Sequence, residues 1–188
     1  MKNILPLCAL LVLAACAAAP PSQPTGLTFF HLNDTYRLGA VEDSTRGGFS
    51  RVLTLVREAQ AEGRNVRILH GGDFLYPSLE SQLWHGMQMV DAMNFMHAVA
   101  PLYATAGNHE FDPRQPDYLI AALKASDFVW MGDNFSFDTG DAAADAVLRS
   151  GFTFEAAGKT IGVFAVMLHD DDGGNARSFL EIEPDYLA

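Results

Sequence analysis

Cysteine is nearly absent: the 188-residue chain has two, Cys8 and Cys16, both within its first sixteen positions. The remainder therefore has no disulfide, no thiol nucleophile and no thiolate zinc site, so its chemistry must use oxygen and imidazole. Positive charge is scarce as well. Twelve Lys and Arg stand against 23 Asp and Glu, a net charge of −11. Such a surface repels a nucleic-acid backbone and offers no counterion release. A nucleic-acid duplex is excluded as a direct partner. A small phosphorylated molecule is not, because one metal ion or arginine can reverse the sign inside a cleft. Long apolar runs are missing too: the stretch Leu5 to Ala15 covers eleven residues, too few for a helix that spans a bilayer.

That stretch follows Lys2 and ends in small residues, the layout of a secretory signal. Its end, Leu13-Ala14-Ala15-Cys16, resembles the bacterial lipobox, in which Cys16 is lipidated and becomes the mature N-terminus. Ordinary cleavage within the Ala-rich run is the alternative. The expected organisation is a signal peptide over 1–15, a flexible tether over 16–26 rich in Ala, Pro, Ser and Gln, and a folded region over 27–188. A lipidated Cys16 implies a protein anchored on the periplasmic side of a bacterial envelope. Ala17, rather than Asp, after that cysteine points to the outer membrane.

The folded part is apolar enough for one domain with a real core, at 49% hydrophobic residues over the chain. "LTFFHLND" (27–34) predicts a buried strand, and "FSRVLTLVREAQAEG" a helix with Ser50 as N-cap and Gly63 at its stop. "VRILHGGD" (66–73) predicts the next strand. "LWHGMQMVDAMNFMHAV" (83–99) predicts one helix with Leu83, Met87, Val90 and Met93 on a shared face, barred from continuing by Pro101. "LYATAGNH" reads as a strand, 116–126 as a short helix and 127–134 as a further strand. Residues 152–168 read as a hairpin turning at Ala157-Gly158. Strand and helix in alternation argue for βαβ units and a mainly parallel sheet.

Three successive predicted strands end in Asp34, in Asp73 and in Asn108-His109, separated by 39 and 35 residues. Each separation fits one βαβ unit, whose right-handed crossover brings the carboxyl ends of the strands to one sheet edge. Ligands bind at that edge in open α/β folds. Two carboxylates, an amide oxygen and a nearby imidazole suit a divalent ion such as Mn²⁺, Fe²⁺ or Zn²⁺. A turn residue after one strand would be ordinary; three in register describe a site.

The blocks "FFHLNDTY", "GGFSRVLTLV", "LHGGDFLYPS", "MVDAMNFM" and "GNHEFD" resemble, in order and spacing, the calcineurin-like metallophosphoesterases. The branch most similar is that of 5'-nucleotidases and 2',3'-cyclic phosphodiesterases. The resemblance implies a four-layer α/β/β/α sandwich holding two divalent ions and hydrolysing nucleotide phosphate esters. It implies Asp34 as ligand of the first ion, Asp73 as the bridge and Asn108 as ligand of the second. His109 would act on the leaving group, with Asp112 orienting its ring. Glu110 and Phe111 read as scaffold.

Two departures qualify that expectation. Position 36 is Tyr36, where the family usually has histidine, and the family's later histidine ligands are expected beyond Ala188. The 188 residues are accordingly expected to be an N-terminal part of the catalytic domain, with the sandwich incomplete on its C-terminal side. The alternative is a non-catalytic surface or periplasmic binding lipoprotein that keeps the fold without a full metal set. Of the other histidines, His31 and His70 read as structural, His85 and His97 as helix-borne, and His169 as part of a solvated acidic turn. Asn134 ends the fourth predicted strand near the same edge.

Overall fold

The computed structural model describes residues 26–169 and 177–183. The signal, Cys16, the tether up to residue 25 and the acidic run after His169 lie outside the described residues, and Gly26, the last tether position expected, opens the first strand. The order of elements begins β1 (Gly26–Leu32), α1 (Phe49–Ala61), β2 (Arg64–His70), α2 (Leu79–Trp84), α3 (Met87–Val99) and β3 (Leu102–Ala104). It continues α4 (Asp117–Ala125), β4 (Val129–Trp130), β5 (Phe135–Phe137), α5 (Ala142–Asp145), β6 (Phe152–Ala156), β7 (Lys159–Val163) and β8 (Leu180–Ile182).

Strands β1 to β4 form one parallel sheet in chain order, from Gly26↔Arg64 through Leu32↔His70, then Ile68↔Leu102 and Ala104↔Trp130. Each new strand is added on the same side, so right-handed crossovers carry every connecting helix to one face. That face is the core: Val66, Ile68, Leu102, Ala104 and Trp130 meet Val56, Met89, Val90, Met93, Met96 and Leu119, all buried. Full burial of each large side chain is worth about 1.5–3 kcal/mol. The opposite face is covered in part by the β6–β7 hairpin, whose Phe152 and Phe154 lie 5.2 and 6.2 Å from the Tyr103 ring; the Arg67 guanidinium lies 5.0 Å from the Phe154 ring.

The sheet and the hairpin at Ala157-Gly158 follow the sequence expectation. Several boundaries do not. The helix expected over 83–99 is two helices, broken where His85 and Gly86 both take left-handed backbone (φ 56° and 81°). Leu83 consequently faces solvent at 63% exposure, and Met89, Val90, Met93 and Met96 form the buried face. Ser50 lies inside α1; the N-cap is Gly48, with no side-chain bond. The strand expected over 127–134 shrinks to Val129–Trp130, and β5 pairs antiparallel with β8, Phe135 opposite Ile182.

Candidate functional site

The strands stop short of the polar residues assigned to their ends. β1 ends at Leu32, β2 at His70 and β3 at Ala104, so Asp34, Asp73 and Asn108-His109 sit a few residues further on, in loops. Two backbone bonds keep the first pair of loops together beyond the sheet: Gly71 N–H donates to the Leu32 carbonyl (2.7 Å) and Asp34 N–H to the Gly72 carbonyl (3.1 Å). Asp34 and Asp73 both hold left-handed backbone, with φ of 55° and 61°. Non-glycine residues adopt that region uncommonly, aspartate more readily than most, and such positions cluster at functional sites.

The second and third loops touch through glycine. A Cβ on Gly72 would lie 2.2 Å from the Gly107 nitrogen, and one on Gly107 would lie 2.3 Å from Asp73 Oδ1. The Asp73 carboxylate thus occupies the space of the missing Gly107 side chain, and its Oδ1 accepts the His109 N–H at 2.8 Å. Asn108 opens a 3-10 turn over Asn108–Phe111; it is exposed, and its amide makes no hydrogen bond among the described residues.

The Tyr36 hydroxyl donates to Asp34 Oδ1 (2.7 Å) and the Asn33 amide donates to Asp34 Oδ2. These two bonds, helped by the approach of Asp73 and the charge of His109, hold the Asp34 carboxyl below the usual carboxylate range. Asp34, Asp73 and His109 therefore share one locus. Burial, then the bond to Asp34, pushes the Tyr36 phenol well above its ordinary value, so Tyr36 remains a protonated donor. Its ring meets the His109 imidazole edge-on, 5.6 Å between centroids.

His109 Nδ1 lies 2.9 Å from Asp112 Oδ2. A carboxylate only accepts, so Nδ1 carries the proton and Nε2 is left for other work. Burial disfavours the charged ring, but the Asp112 bond and the charges of Asp112, Asp73 and Glu110 outweigh it and hold the imidazole above its ordinary value.

Sequence reasoning placed Glu110 in the scaffold without seeing how much it ties together. Its fully buried carboxylate accepts four backbone N–H groups: Phe74 (2.7 Å) and Leu75 (3.0 Å) on Oε1, Asp73 (2.8 Å) and Gly107 (2.6 Å) on Oε2. Burial raises its pKa and the four donors pull it back, with burial the larger. One side chain thus joins the Asp73 loop to the Asn108 loop. The donors are main-chain groups and leave no signature in residue type.

His70 is a second support. Its Nδ1 accepts the Gly72 N–H (3.2 Å), so Nε2 bears the proton and donates to Thr35 Oγ1 (2.7 Å). Burial, with a smaller push from His31, lowers its pKa to about 3; it is a neutral strut. His97 Nδ1 accepts the Leu102 N–H and the His85 ring stacks on Tyr118, 4.1 Å between centroids. Asn134 is buried, donating to the Met167 and Glu183 carbonyls and accepting the Met167 N–H.

Among the described residues no group of three or more His, Cys, Asp or Glu is arranged to hold a metal ion. The donors that do converge, two aspartates beside an exposed and unspent amide, are of the kind that hold hard or borderline divalent ions.

A parallel sheet with acidic residues on glycine-tight loops at its carboxyl edge puts a polar site where open α/β folds bind their ligands. The family model of the calcineurin-like phosphoesterases matches residues 27–181, and the chain belongs to that family, whose members are metal-dependent hydrolases. It is 33% identical over 97 residues to a probable 5'-nucleotidase of Treponema pallidum, covering 46% of this chain and 16% of that protein. It is 31% identical over 139 residues to the snake venom 5'-nucleotidase of Crotalus adamanteus, covering 66% and 23%. The crystal structure of a 5'-nucleotidase precursor from Thermus thermophilus superposes with a TM-score of 0.69 at 22% identity, over 85% of this chain and 32% of that one. The last likeness speaks for the fold alone. The chain spans less than a quarter of the length of these two curated relatives.

Proposed function

We propose that this chain carries the metal-binding and proton-donating residues of a phosphoesterase that hydrolyses nucleotide phosphate esters, in the manner of a 5'-nucleotidase. The observation that carries the reading is the convergence of Asp34, Asp73 and a His109 whose Nδ1 is pinned by Asp112 at 2.9 Å. In this proposal Asp34 would hold a first ion, Asp73 both ions and Asn108 the second, with Mn²⁺, Zn²⁺ or Fe²⁺ as candidates. Such ions, when bound, neutralise charge on phosphoryl oxygens and acidify water. His109 presents Nε2 to the leaving oxygen and gives it a proton, while Asp112 fixes the tautomer and stabilises the charged ring. Gly72 and Gly107 keep the two loops close enough for Asp73 to serve both.

The same proposal places the protein in the bacterial envelope on a lipidated Cys16, with residues 1–15 removed, 16–26 as tether and 27–188 as part of the catalytic domain. The support is the Leu13-Ala14-Ala15-Cys16 pattern. Mass spectrometry of the N-terminal peptide tests it, and an unmodified, soluble mature protein would count against it. A second reading, a binding lipoprotein without turnover, draws support from Tyr36, whose hydroxyl is bonded to Asp34 Oδ1.

Metal content and phosphate release, measured together on adenosine 5'-monophosphate and a nitrophenyl phosphate, decide between them. Asn108→Ala should lower metal occupancy and turnover in parallel. His109→Ala should leave occupancy nearly unchanged and slow the nucleotide by about 10²–10⁴-fold, with less effect on the better leaving group. Metal uptake without phosphate release favours the binding reading, and loss of metal in His109→Ala removes the proton-donor role.

A further inference from the structure

We propose that Arg177 is a positioning residue for the His109–Asp112 pair, acting through the carbonyl of Phe111; the rate effects expected of it rest on the function proposed above. Its Nε–H donates to the Phe111 carbonyl at 2.7 Å, across 66 positions of chain.

The peptide unit that this bond holds is the one that carries Asp112. A peptide unit is planar, so its carbonyl, from Phe111, and its N–H, from Asp112, move together. The N–H end is held by the His109 carbonyl at 3.2 Å, which closes the 3-10 turn. The carbonyl end is the last of that turn and finds no partner within it. Arg177 supplies one. With both ends of the plane held, the Asp112 Cα is placed, and the carboxylate meets His109 Nδ1 at 2.9 Å. A carbonyl without its donor leaves the plane free to rotate, and the bond that keeps the proton on Nδ1 loosens with it.

The segment behind Arg177 is itself tied down. The Leu180 N–H donates to the Arg177 carbonyl (3.3 Å) in a tight turn that leads into β8, and β8 pairs with β5, Phe137 opposite Leu180. Phe137 and Phe179 of that ribbon lie 6.1 and 6.4 Å from Phe111 between ring centroids, and all three rings are buried. The Asp138 N–H donates to the Phe179 carbonyl (3.0 Å) and the Glu183 N–H to the Asn134 carbonyl (2.7 Å), which fastens the ribbon to the end of β4. One ribbon thus grips Phe111 by its ring and by its carbonyl. The charges that raise the His109 pKa come from Asp112, Asp73 and Glu110, so Arg177 acts by placement rather than by its field.

Two substitutions separate the hydrogen bond from the charge. The side-chain nitrogen of glutamine stands as many bonds from Cα as arginine Nε, so Arg177→Gln keeps a donor and removes the charge. Arg177→Met keeps the length and removes both, and Arg177→Ala replaces it if it does not fold. The full chain, with ¹⁵N in its histidines, is read by long-range proton–nitrogen correlation at a pH where the His109 ring is neutral. The native chain and Arg177→Gln should carry the proton on Nδ1, and Arg177→Met should show both tautomers. With metal supplied, Arg177→Met should lower kcat on adenosine 5'-monophosphate by about tenfold, the lower end of what loss of a partner behind a working side chain costs. KM and metal content should hold, a nitrophenyl phosphate should lose less, and Arg177→Gln should stay near the native rate. A lowered unfolding midpoint in Arg177→Met with the native ring pattern would make Arg177 a strap for the fold alone and overturn the proposal. Equal damage to the ring pattern from Arg177→Gln and Arg177→Met overturns it as well. A native chain that releases no phosphate counts against the proposed function, while the tautomer pattern still decides whether Arg177 positions the pair.

Discussion

Replacing Glu110 by glutamine should destabilise the protein, although it removes a buried charge. In the native chain each carboxylate oxygen accepts two main-chain N–H groups, Phe74 and Leu75 on one, Asp73 and Gly107 on the other. A glutamine keeps one acceptor oxygen and turns an NH₂ toward the other pair, so two N–H groups face a donor. Two bonds to a charged acceptor are worth about 1.5–3 kcal/mol each, and buried donors left bare cost about 1–3 kcal/mol each. Against this stands the cost of burying the carboxylate, the same cost that raises its pKa. We expect the donors to win, with a net loss of about 2–4 kcal/mol. For a chain of this length that lowers the unfolding midpoint by about 5–15 °C, which leaves a folded protein at 25 °C if its stability is ordinary. Thermal unfolding by circular dichroism reads the shift. Amide exchange at Asp73, Phe74 and Gly107 should accelerate in step. An unchanged or raised midpoint would mean that burial outweighs the four donors and that Glu110 is not the tie between the loops.

Gly107→Ala places a Cβ 2.3 Å from Asp73 Oδ1; it should cost about 1–3 kcal/mol and displace the Asp73 carboxylate, seen as weakened metal binding in calorimetry. Unaltered binding would show that the close approach is incidental. His70 has a folded pKa lowered to about 3 against an ordinary 6.5, so its contribution is complete above about pH 6.5. It is lost as the pH falls toward 3, because the unfolded chain takes up the proton first, with a slope of up to about 1.4 kcal/mol per unit. Urea midpoints at pH 7 and pH 5 should differ more in the native chain than in His70→Gln, and equal differences would refute the neutral strut. Asn134→Ala strips three hydrogen bonds from a buried junction with Met167 and Glu183. It should cost about 2–4 kcal/mol in denaturant unfolding while leaving metal affinity unchanged.

The parallel sheet was legible because apolar runs end in glycine and acid at βαβ spacing, a pattern that a right-handed crossover turns into neighbouring loops. The convergence of Asp34, Asp73 and His109 followed from that alone. The break at His85-Gly86 was not legible: hydrophobic periodicity counts positions and is blind to a left-handed pair in the middle of the count. The β5–β8 pairing joins residues more than forty positions apart and leaves no trace in a local window. The strand at 127–134 shrank because Gly132 and Asn134 serve a tight bend, where a Cβ on Gly132 would lie 2.6 Å from the Phe135 ring. Glu110 reaches the main chain of Asp73, Phe74 and Leu75, and His70 meets Thr35, across 35 or more residues, so their roles needed the fold.

Asp34, Asp73 and Asn108 are proposed above to hold two divalent ions, with Asp73 between them. Titration of the ¹⁵N-labelled chain with substoichiometric Mn²⁺ tests this placement most directly, because paramagnetic broadening falls off steeply with distance from the ion. The Asp34, Asp73, Asn108 and His109 amide signals should be lost selectively, an effect abolished in Asp73→Asn and reversed by a chelator. Broadening centred elsewhere, or spread evenly over the acidic surface of a chain with net charge −11, would contradict the placement.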